Sequence, residues 1–177
     1  MWKPCIQDMG FPLSRRGEDI LLQRTRSSST PITKGIYTLI FQSEGCRLSI
    51  GALGNRHFSP GWYGYIGSAH GSGGFARVRR HVTLTVRCNR NPHWHIDYLL
   101  MDSRFHLQSA ICGCTTEDKE CYLAKSFSTD AVKDFGCSDC SCTSHLFFWE
   151  NDPMEEIISA FRVLGITPVI KTIKNHG

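Results

Sequence analysis

The chain has 177 residues, which fits one domain or one domain with an appendage. Hydrophobic residues make up 41% and aromatic residues 11% of it, enough for a packed core, and this excludes global disorder. The net charge of +4 is modest. No apolar run of about 18 residues and no secretory signal pattern are present, so we expect a soluble, cytoplasmic protein without membrane contacts.

Hydrophobic periodicity and turn residues predict the elements in chain order. Residues 1–33 are charged and rich in serine, and we expect them to form a flexible N-terminal extension. The remainder, 34–177, is predicted to be one α/β (α+β) domain whose mainly antiparallel mixed sheet is flanked by helices. The strands are predicted at 34–42, 46–53, 62–69, 104–112 and 144–150, and the segment 54–61 is predicted to be a loop.

Four helices are predicted at 74–84, 91–100, 115–127 and 152–165. Asn91 is the expected N-cap of the second helix, with Pro92 at its first position. Thr115 or Thr116 is expected to cap the third. The fourth is expected to be capped by Asp152 and to end at Gly165.

Charge is distributed unevenly along the chain. Between Glu44 and Asp97 there is no Asp or Glu, but that segment contains seven arginines: Arg47, Arg56, Arg77, Arg79, Arg80, Arg87 and Arg90. Because the arginine fork matches phosphate oxygens, this bias favours an anionic partner, above all DNA. A chance bias of the surface is the alternative.

Nine cysteines in a chain without an export signal are expected to remain thiols, to bind metal or to do chemistry. A cysteine-rich region spans about 112–145. Its donors could surround a structural Zn²⁺ ion: Cys112, Cys114, Cys140, Cys142 and His145. The spacing matches no standard zinc finger, and buried free thiols in a loop held by Asp139 and Ser144 are the alternative.

Four polar side chains are predicted to share a pocket. Arg77 and His81 are four residues apart on a helix and therefore share a face. Tyr37 and Tyr65 lie on strands predicted to neighbour that helix. Phenols and an imidazole can take a proton from water, and a guanidinium can hold phosphoryl oxygens, so this set suits cleavage of a phosphodiester.

Several motifs resemble the GIY-YIG nuclease superfamily. They are Gly35-Ile36-Tyr37, Tyr65-Ile66-Gly67 and the helix containing Arg77 and His81. Further motifs, "GYIGSAHGSGG", "HWHIDYLL", an "ECxLA" helix and "DCxCxSHLF", are similar to a group of small prokaryotic GIY-YIG proteins, some of which are joined to a DNA-glycosylase domain. The resemblance covers about residues 34–160. It departs from the usual pattern in the long gap between the tripeptides, which we expect to narrow or redirect the substrate groove.

The resemblance implies a GIY-YIG-like fold and a DNA endonuclease with a role in repair, for which a repair glycosylase is a candidate partner. Tyr37 would help to activate water, Tyr65 and Arg77 would orient it and bind the phosphate, and His81 would handle a proton or contact the phosphate. Glu120 is the best match for the carboxylate that holds a single Mg²⁺ or Mn²⁺ ion. The arginines expected to contact nucleic acid are Arg79, Arg80, Arg87 and Arg90.

Two other functions stay open: a non-catalytic nucleic-acid-binding module of the same fold, and a zinc-stabilised protein-interaction domain. In "HWHIDYLL", His93, His95 and Asp97 resemble metal ligands by type. Residues two apart point to different sides of a helix, however, which is poor for shared ligation. We therefore expect a structural role, in which Asp97 holds a histidine tautomer or an arginine of the basic helix.

Overall fold

A computed structural model describes residues 34–86 and 91–173. The predicted N-terminal extension, 1–33, and the predicted nucleic-acid contacts Arg87 and Arg90 lie outside the described residues. Within the described ranges, no helix is both long and apolar enough to cross a lipid bilayer.

The domain is an α+β structure, as predicted from the sequence. In chain order its elements are β1 (Gly35–Ser43), β2 (Cys46–Ser49), a short 3-10 helix (Gly51–Leu53), β3 (Asn55–Phe58), β4 (Gly61–Ser68), α1 (Ala76–Val86), α2 (His95–Leu100), β5 (Phe105–Cys114), α3 (Glu120–Lys125), β6 (Leu146–Trp149), α4 (Met154–Val163) and β7 (Pro168–Thr172). Five strands form one sheet in the order β6-β4-β1-β5-β7, and every neighbouring pair is antiparallel.

Strand β1 is the centre of the sheet and is buried on both faces. Alternate residues point to opposite sides of a strand. Tyr37, Leu39 and Phe41 therefore pack into the core that α1 and α2 cover, while Ile36 and Ile40 pack into the core beneath α3 and α4. A strand buried on both faces has a nearly continuous apolar sequence, which explains why "GIYTLIF" predicts it so clearly.

The segment 54–61, predicted to be a loop, instead contributes β3, which pairs with β2 in a separate two-stranded sheet. Phe58 and Ile50 are fully buried in the α1–α2 core and fix the hairpin to the domain. Gly51 lies so near α2 that an added Cβ would be 2.9 Å from the hydroxyl oxygen of Tyr98. The long insertion between the two tripeptides is therefore a packed hairpin beside α2. Whether it shapes a substrate groove stays a prediction.

Two helices begin later than predicted. In each case a side-chain oxygen accepts at least one hydrogen bond from a backbone N–H group that precedes the helix. Helix α2 begins at His95 and not near Asn91. The carboxylate of Asp97 accepts the N–H groups of His93, at 2.8 Å, and Trp94, at 3.1 Å. Helix α3 begins at Glu120, and the Thr115 hydroxyl accepts a backbone N–H in a preceding turn rather than capping the helix.

The C-terminal part matches the prediction more closely. Asp152 accepts the backbone N–H of Met154 at 2.9 Å at the start of α4. Gly165 follows the helix with a φ of 73°, a left-handed conformation that glycine adopts at little cost. The edge strand β7 was not predicted. It pairs with β5 from Ser109↔Thr172 to Gly113↔Pro168.

Candidate functional site

The candidate site lies at one end of the five-stranded sheet. Strands β1 and β6 begin at this end, and β4 and β5 finish there, because neighbouring strands are antiparallel. Helix α1 follows β4 and helix α3 follows β5, so both helices also start from this end. Residues far apart in sequence are thereby brought together.

Tyr37 and Tyr65 occupy the same face of the sheet. Tyr65 on β4 is the direct partner of Leu39 on β1, and Tyr37 is two residues before Leu39. Directly paired residues share a face, as do residues two apart on one strand, so the tyrosines are diagonal neighbours. Tyr37 is 1% exposed, whereas Tyr65 is only partly buried and is the more accessible phenol.

Packing explains why the second tripeptide ends in a glycine, Gly67. Gly67 pairs directly with Tyr37 across the two strands. A Cβ added to Gly67 would overlap the ring and hydroxyl of Tyr37. Gly136 in the cysteine-rich loop has a similar role, since an added Cβ would lie 2.9 Å from Cε2 of Tyr65. Both glycines leave room for a tyrosine ring.

The Tyr37 hydroxyl forms a hydrogen bond with Nε2 of His81 over 3.0 Å. His81 lies on the buried face of α1 with Val78 and Leu84. Burial lowers the pKa of His81 to about 3 and also raises the pKa of Tyr37. At neutral pH the pair therefore consists of an uncharged imidazole and an uncharged phenol.

Asp97 lies beneath this pair and is fully buried. It binds Arg80 through two hydrogen bonds of 2.8 and 2.7 Å. Its Oδ1 is also 3.7 Å from Nδ1 of His81. Burial alone would raise the pKa of Asp97, but the hydrogen bonds from Arg80 and two backbone N–H groups outweigh it and lower the pKa. The carboxylate thus favours the tautomer in which His81 carries its proton on Nδ1 and accepts from Tyr37 through Nε2.

Trp94 joins the two arginines of the basic helix, and the sequence did not identify it. The guanidinium carbons of Arg77 and Arg80 lie 4.9 and 4.4 Å from the centre of its ring system. Its ring centre is also 5.8 Å from that of His81. Arg77 donates from Nη1 to the carbonyl oxygen of Ser68 at 2.8 Å, which holds the guanidinium at the end of β4.

The arginines predicted to contact nucleic acid differ in their surroundings. Arg79 is exposed on α1 and remains available for an outside partner. The guanidinium of Arg80 is occupied by Asp97 and Trp94, and its side chain is 26% exposed. Arg80 therefore has a structural role in holding α1 to α2, which agrees with the prediction that Asp97 binds an arginine of the basic helix.

Glu120, at the first position of α3, is near enough to both tyrosines for its charge to raise their pKa values. Its negative charge raises the pKa of Tyr65, second only to burial, while Arg77 opposes both effects. The side chain is 21% exposed, and its Oε1 lies 3.3 Å from Nδ1 of His145. The predicted carboxylate is therefore placed beside the tyrosines by the start of α3.

Next to Glu120 is a second group of ligand-type side chains. Cys121, Cys140, Cys142 and His145 each offer one ligand atom, and the four atoms lie within 4.8 Å of one another. This group could hold a metal ion. The structure replaces Cys112 and Cys114 of the predicted set by Cys121, because those two residues lie on β5, where Cys112 is fully buried in the core. Cys121 lies within the cysteine-rich region, but it is part of neither CxC motif, and the sequence therefore did not single it out.

The fold and the two groups of residues define a class: a small α+β protein with a tyrosine–histidine pair at one end of an antiparallel sheet and an adjoining Cys₃His cluster. The chain belongs to the family described as "Domain of unknown function DUF123", whose model matches residues 36–166. No curated protein and no solved structure matches the chain.

Proposed function

We propose that the protein is a GIY-YIG-type endonuclease that hydrolyses phosphodiester bonds of DNA, with a role in DNA repair. The observation that carries this proposal is the 3.0 Å hydrogen bond between Tyr37 and His81, in a pocket with Tyr65, Arg77 and Glu120. These are the residue types that phosphodiester hydrolysis needs: proton acceptors, a phosphate-binding cation and a carboxylate.

The spatial order of Tyr37, His81 and Asp97 indicates how a proton would be relayed. As a water molecule attacks phosphorus, Tyr37 takes its proton and passes the phenolic proton to Nε2 of His81. This two-step transfer avoids a free phenolate, which the raised pKa of Tyr37 disfavours. Burial disfavours the imidazolium that results, since it lowers the pKa of His81, and Asp97, whose Oδ1 lies 3.7 Å from Nδ1, offsets part of that effect. Asp97, His81 and Tyr37 then correspond to the carboxylate, the imidazole and the hydroxyl group of a catalytic triad.

In this proposal, Arg77 binds the phosphate. Its Nη1 is held by Ser68, and its remaining N–H groups have no hydrogen-bond acceptor within 34–86 and 91–173. These groups can therefore donate to the non-bridging oxygens as negative charge builds on them. Tyr65, the more accessible phenol, can orient the attacking water.

Glu120 fits the predicted role of ligand to Mg²⁺ or Mn²⁺. Its Oε1 faces His145, which leaves Oε2 for a cation. A magnesium ion commonly binds through one or two carboxylates and keeps several waters, so a single Glu is a sufficient protein ligand. When bound, the cation would stabilise charge on the phosphate and the leaving oxygen.

We also propose that Cys121, Cys140, Cys142 and His145 bind a structural zinc ion. A tetrahedral site with the usual Zn–S and Zn–N lengths has S···N edges of about 3.6 Å. The Sγ of Cys140 is 3.5 Å from Nε2 of His145. Three sulfurs and one nitrogen complete four-fold coordination and leave no position for a substrate, which is typical of structural zinc.

Plasmid nicking in Mg²⁺ or Mn²⁺ tests the endonuclease proposal. We expect Arg77→Ala and Glu120→Gln each to lower the rate by about 10²–10³, the usual effect of losing a charge-stabilising group. The matched controls are Arg162→Ala, on α4 at the opposite face of the sheet, and Glu117→Gln, an exposed carboxylate. Both controls should nick at the wild-type rate.

Absence of nicking in either metal, or full activity in both site variants, would refute the endonuclease. In that case, salt-dependent DNA binding that weakens in Arg79→Ala would support the nucleic-acid-binding module, because each lost phosphate contact lowers the salt dependence. Absence of both nicking and binding would leave the zinc-stabilised interaction domain.

A further inference from the structure

The cysteine–histidine cluster and the candidate active-site carboxylate are joined by a single side chain. The imidazole of His145 contacts Cys140 through Nε2 at 3.5 Å and Glu120 through Nδ1 at 3.3 Å. The side chain of His145 is 1% exposed, so solvent does not compete at either nitrogen. Among the described residues, each nitrogen therefore faces one of the two groups.

The contact with Glu120 is incomplete without a metal. Nδ1 of His145 is buried and has no aligned hydrogen-bond partner among the described residues, although Oε1 of Glu120 is only 3.3 Å away. Buried nitrogens are normally satisfied. A small rotation of either side chain would align the two atoms. Nδ1 of His145 could then form a hydrogen bond with Oε1 of Glu120.

A metal on Nε2 would fix the proton on Nδ1. In metal sites the second ring N–H of a ligating histidine almost always donates to a carboxylate, a carbonyl or water. The only carboxylate within ion-pair distance of this histidine among residues 34–86 and 91–173 is Glu120. This arrangement is a carboxylate–histidine–metal triad.

A second connection runs through the backbone. Cys121, a ligand of the cluster, directly follows Glu120 at the start of α3. A metal bound to Cys121 would restrain the backbone of Glu120, while His145 restrains its carboxylate. The segment that supplies the other ligands, between α3 and β6, has no helix or named strand of its own and forms one isolated bridge, Ala131↔Phe147.

We infer that zinc bound by this cluster positions Glu120, through Nδ1–H of His145 and through Cys121, toward the pocket that contains Tyr37 and Tyr65. His145 is thus both a zinc ligand and a positioning residue. The catalytic meaning of this coupling rests on the proposed function, whereas the zinc site and the contact between His145 and Glu120 do not. Loss of zinc would release the carboxylate without changing the tyrosine–histidine pair.

The metal is tested first, by elemental analysis of the purified protein. We expect about one zinc per chain in the wild type and less than about one tenth as much in Cys140→Ser and Cys142→Ser. Cys137→Ser is the matched control, because it removes a thiol from the same loop that is not part of the four-atom group. Its zinc content should equal that of the wild type.

Cobalt replacement keeps this test decisive if the cysteine variants fail to fold. Wild-type protein stripped of zinc and given one equivalent of Co²⁺ should show the visible absorption of a tetrahedral cobalt–thiolate site. If the wild type contains no zinc and does not give this spectrum, the site does not exist. The same holds if Cys137→Ser loses metal as completely as the ligand variants do, or if the thiols are oxidised to a disulfide.

The coupling is tested by NMR of the zinc-loaded protein. We expect the Nδ1–H proton of His145 to exchange slowly in the wild type and in Glu117→Ala, and to become broad or absent in Glu120→Ala while zinc content stays unchanged. An Nδ1–H signal that is identical in Glu120→Ala would overturn the coupling. Because neither zinc content nor this signal depends on DNA cleavage, an inactive protein would refute the proposed function and leave this inference standing.

Discussion

The buried, uncharged state of His81 makes a quantitative prediction about stability and pH. In the folded protein, burial lowers the pKa of His81 to about 3, while an unfolded histidine has a pKa near 6.5. Between these values the unfolded chain binds a proton that the folded chain does not. Stability therefore falls as the pH is lowered from about 6.5 toward 3.

The size of the effect follows from the two pKa values. At pH 5 the unfolded imidazole is almost fully protonated and the folded one is almost fully neutral, so the difference is about 2 kcal/mol relative to pH 7.5. By pH 4 it reaches about 3 kcal/mol. This is a large part of the 5–15 kcal/mol that is typical of a folded domain.

The assay compares urea unfolding of the wild type and His81→Gln from pH 7.5 to pH 5. Glutamine can accept the hydrogen bond from Tyr37 but does not titrate in this range. The variant should be less stable than the wild type at pH 7.5, and the gap should shrink by about 2 kcal/mol at pH 5. Protonation of other groups, including the cysteine–histidine cluster, occurs in both proteins and cancels in the difference.

A gap that stays constant between pH 7.5 and pH 5 would refute the reasoning, because His81 would then titrate like an unfolded histidine. NMR titration of the His81 ring gives an independent reading. Its resonances should not shift above pH 5.

Two further predictions concern packing around the same pair. Gly67→Ala should lower the free energy of unfolding by about 1–3 kcal/mol, because its Cβ would overlap Tyr37, while Gly73→Ala, whose Cβ would meet no atom within 4 Å, should be nearly neutral in urea unfolding. An equal effect of both alanines would show that the Tyr37 ring does not require this glycine. Asp97→Asn should cost about 3–5 kcal/mol, because it leaves the partly buried charge of Arg80 without its partner. If Asn were tolerated with less than about 1 kcal/mol lost by thermal or urea unfolding, the carboxylate would not be the link between α1 and α2.

The local sequence was sufficient to predict an element wherever the residues that define it lie in one segment of the chain. The apolar run of β1 predicted a buried strand, and the Asp152 and Gly165 signals predicted the ends of α4 to within about one residue. Helix α2 shows the limit of such signals. Asn91 and Pro92 form a good local start, but Asp97 reaches back to two backbone N–H groups and sets the start at His95.

For the candidate site, the sequence determined which residue types were available, and the spacing of Arg77 and His81 placed both on α1. Only the tertiary structure decided their partners. Antiparallel pairing of β1 with β4 places Tyr37 over Gly67 and near His81, and no local pattern contains that register.

The candidate metal ligands show most clearly which features the sequence determines and which the tertiary structure decides. The CxC spacing grouped Cys112 and Cys114 with Cys140 and Cys142, but the first two lie on β5, where Cys112 is buried in the core. Cys121 joins Cys140, Cys142 and His145 because the start of α3 and the loop before β6 lie at the same place in space. Ligand geometry depends on distances between segments, and the folded chain alone sets those distances.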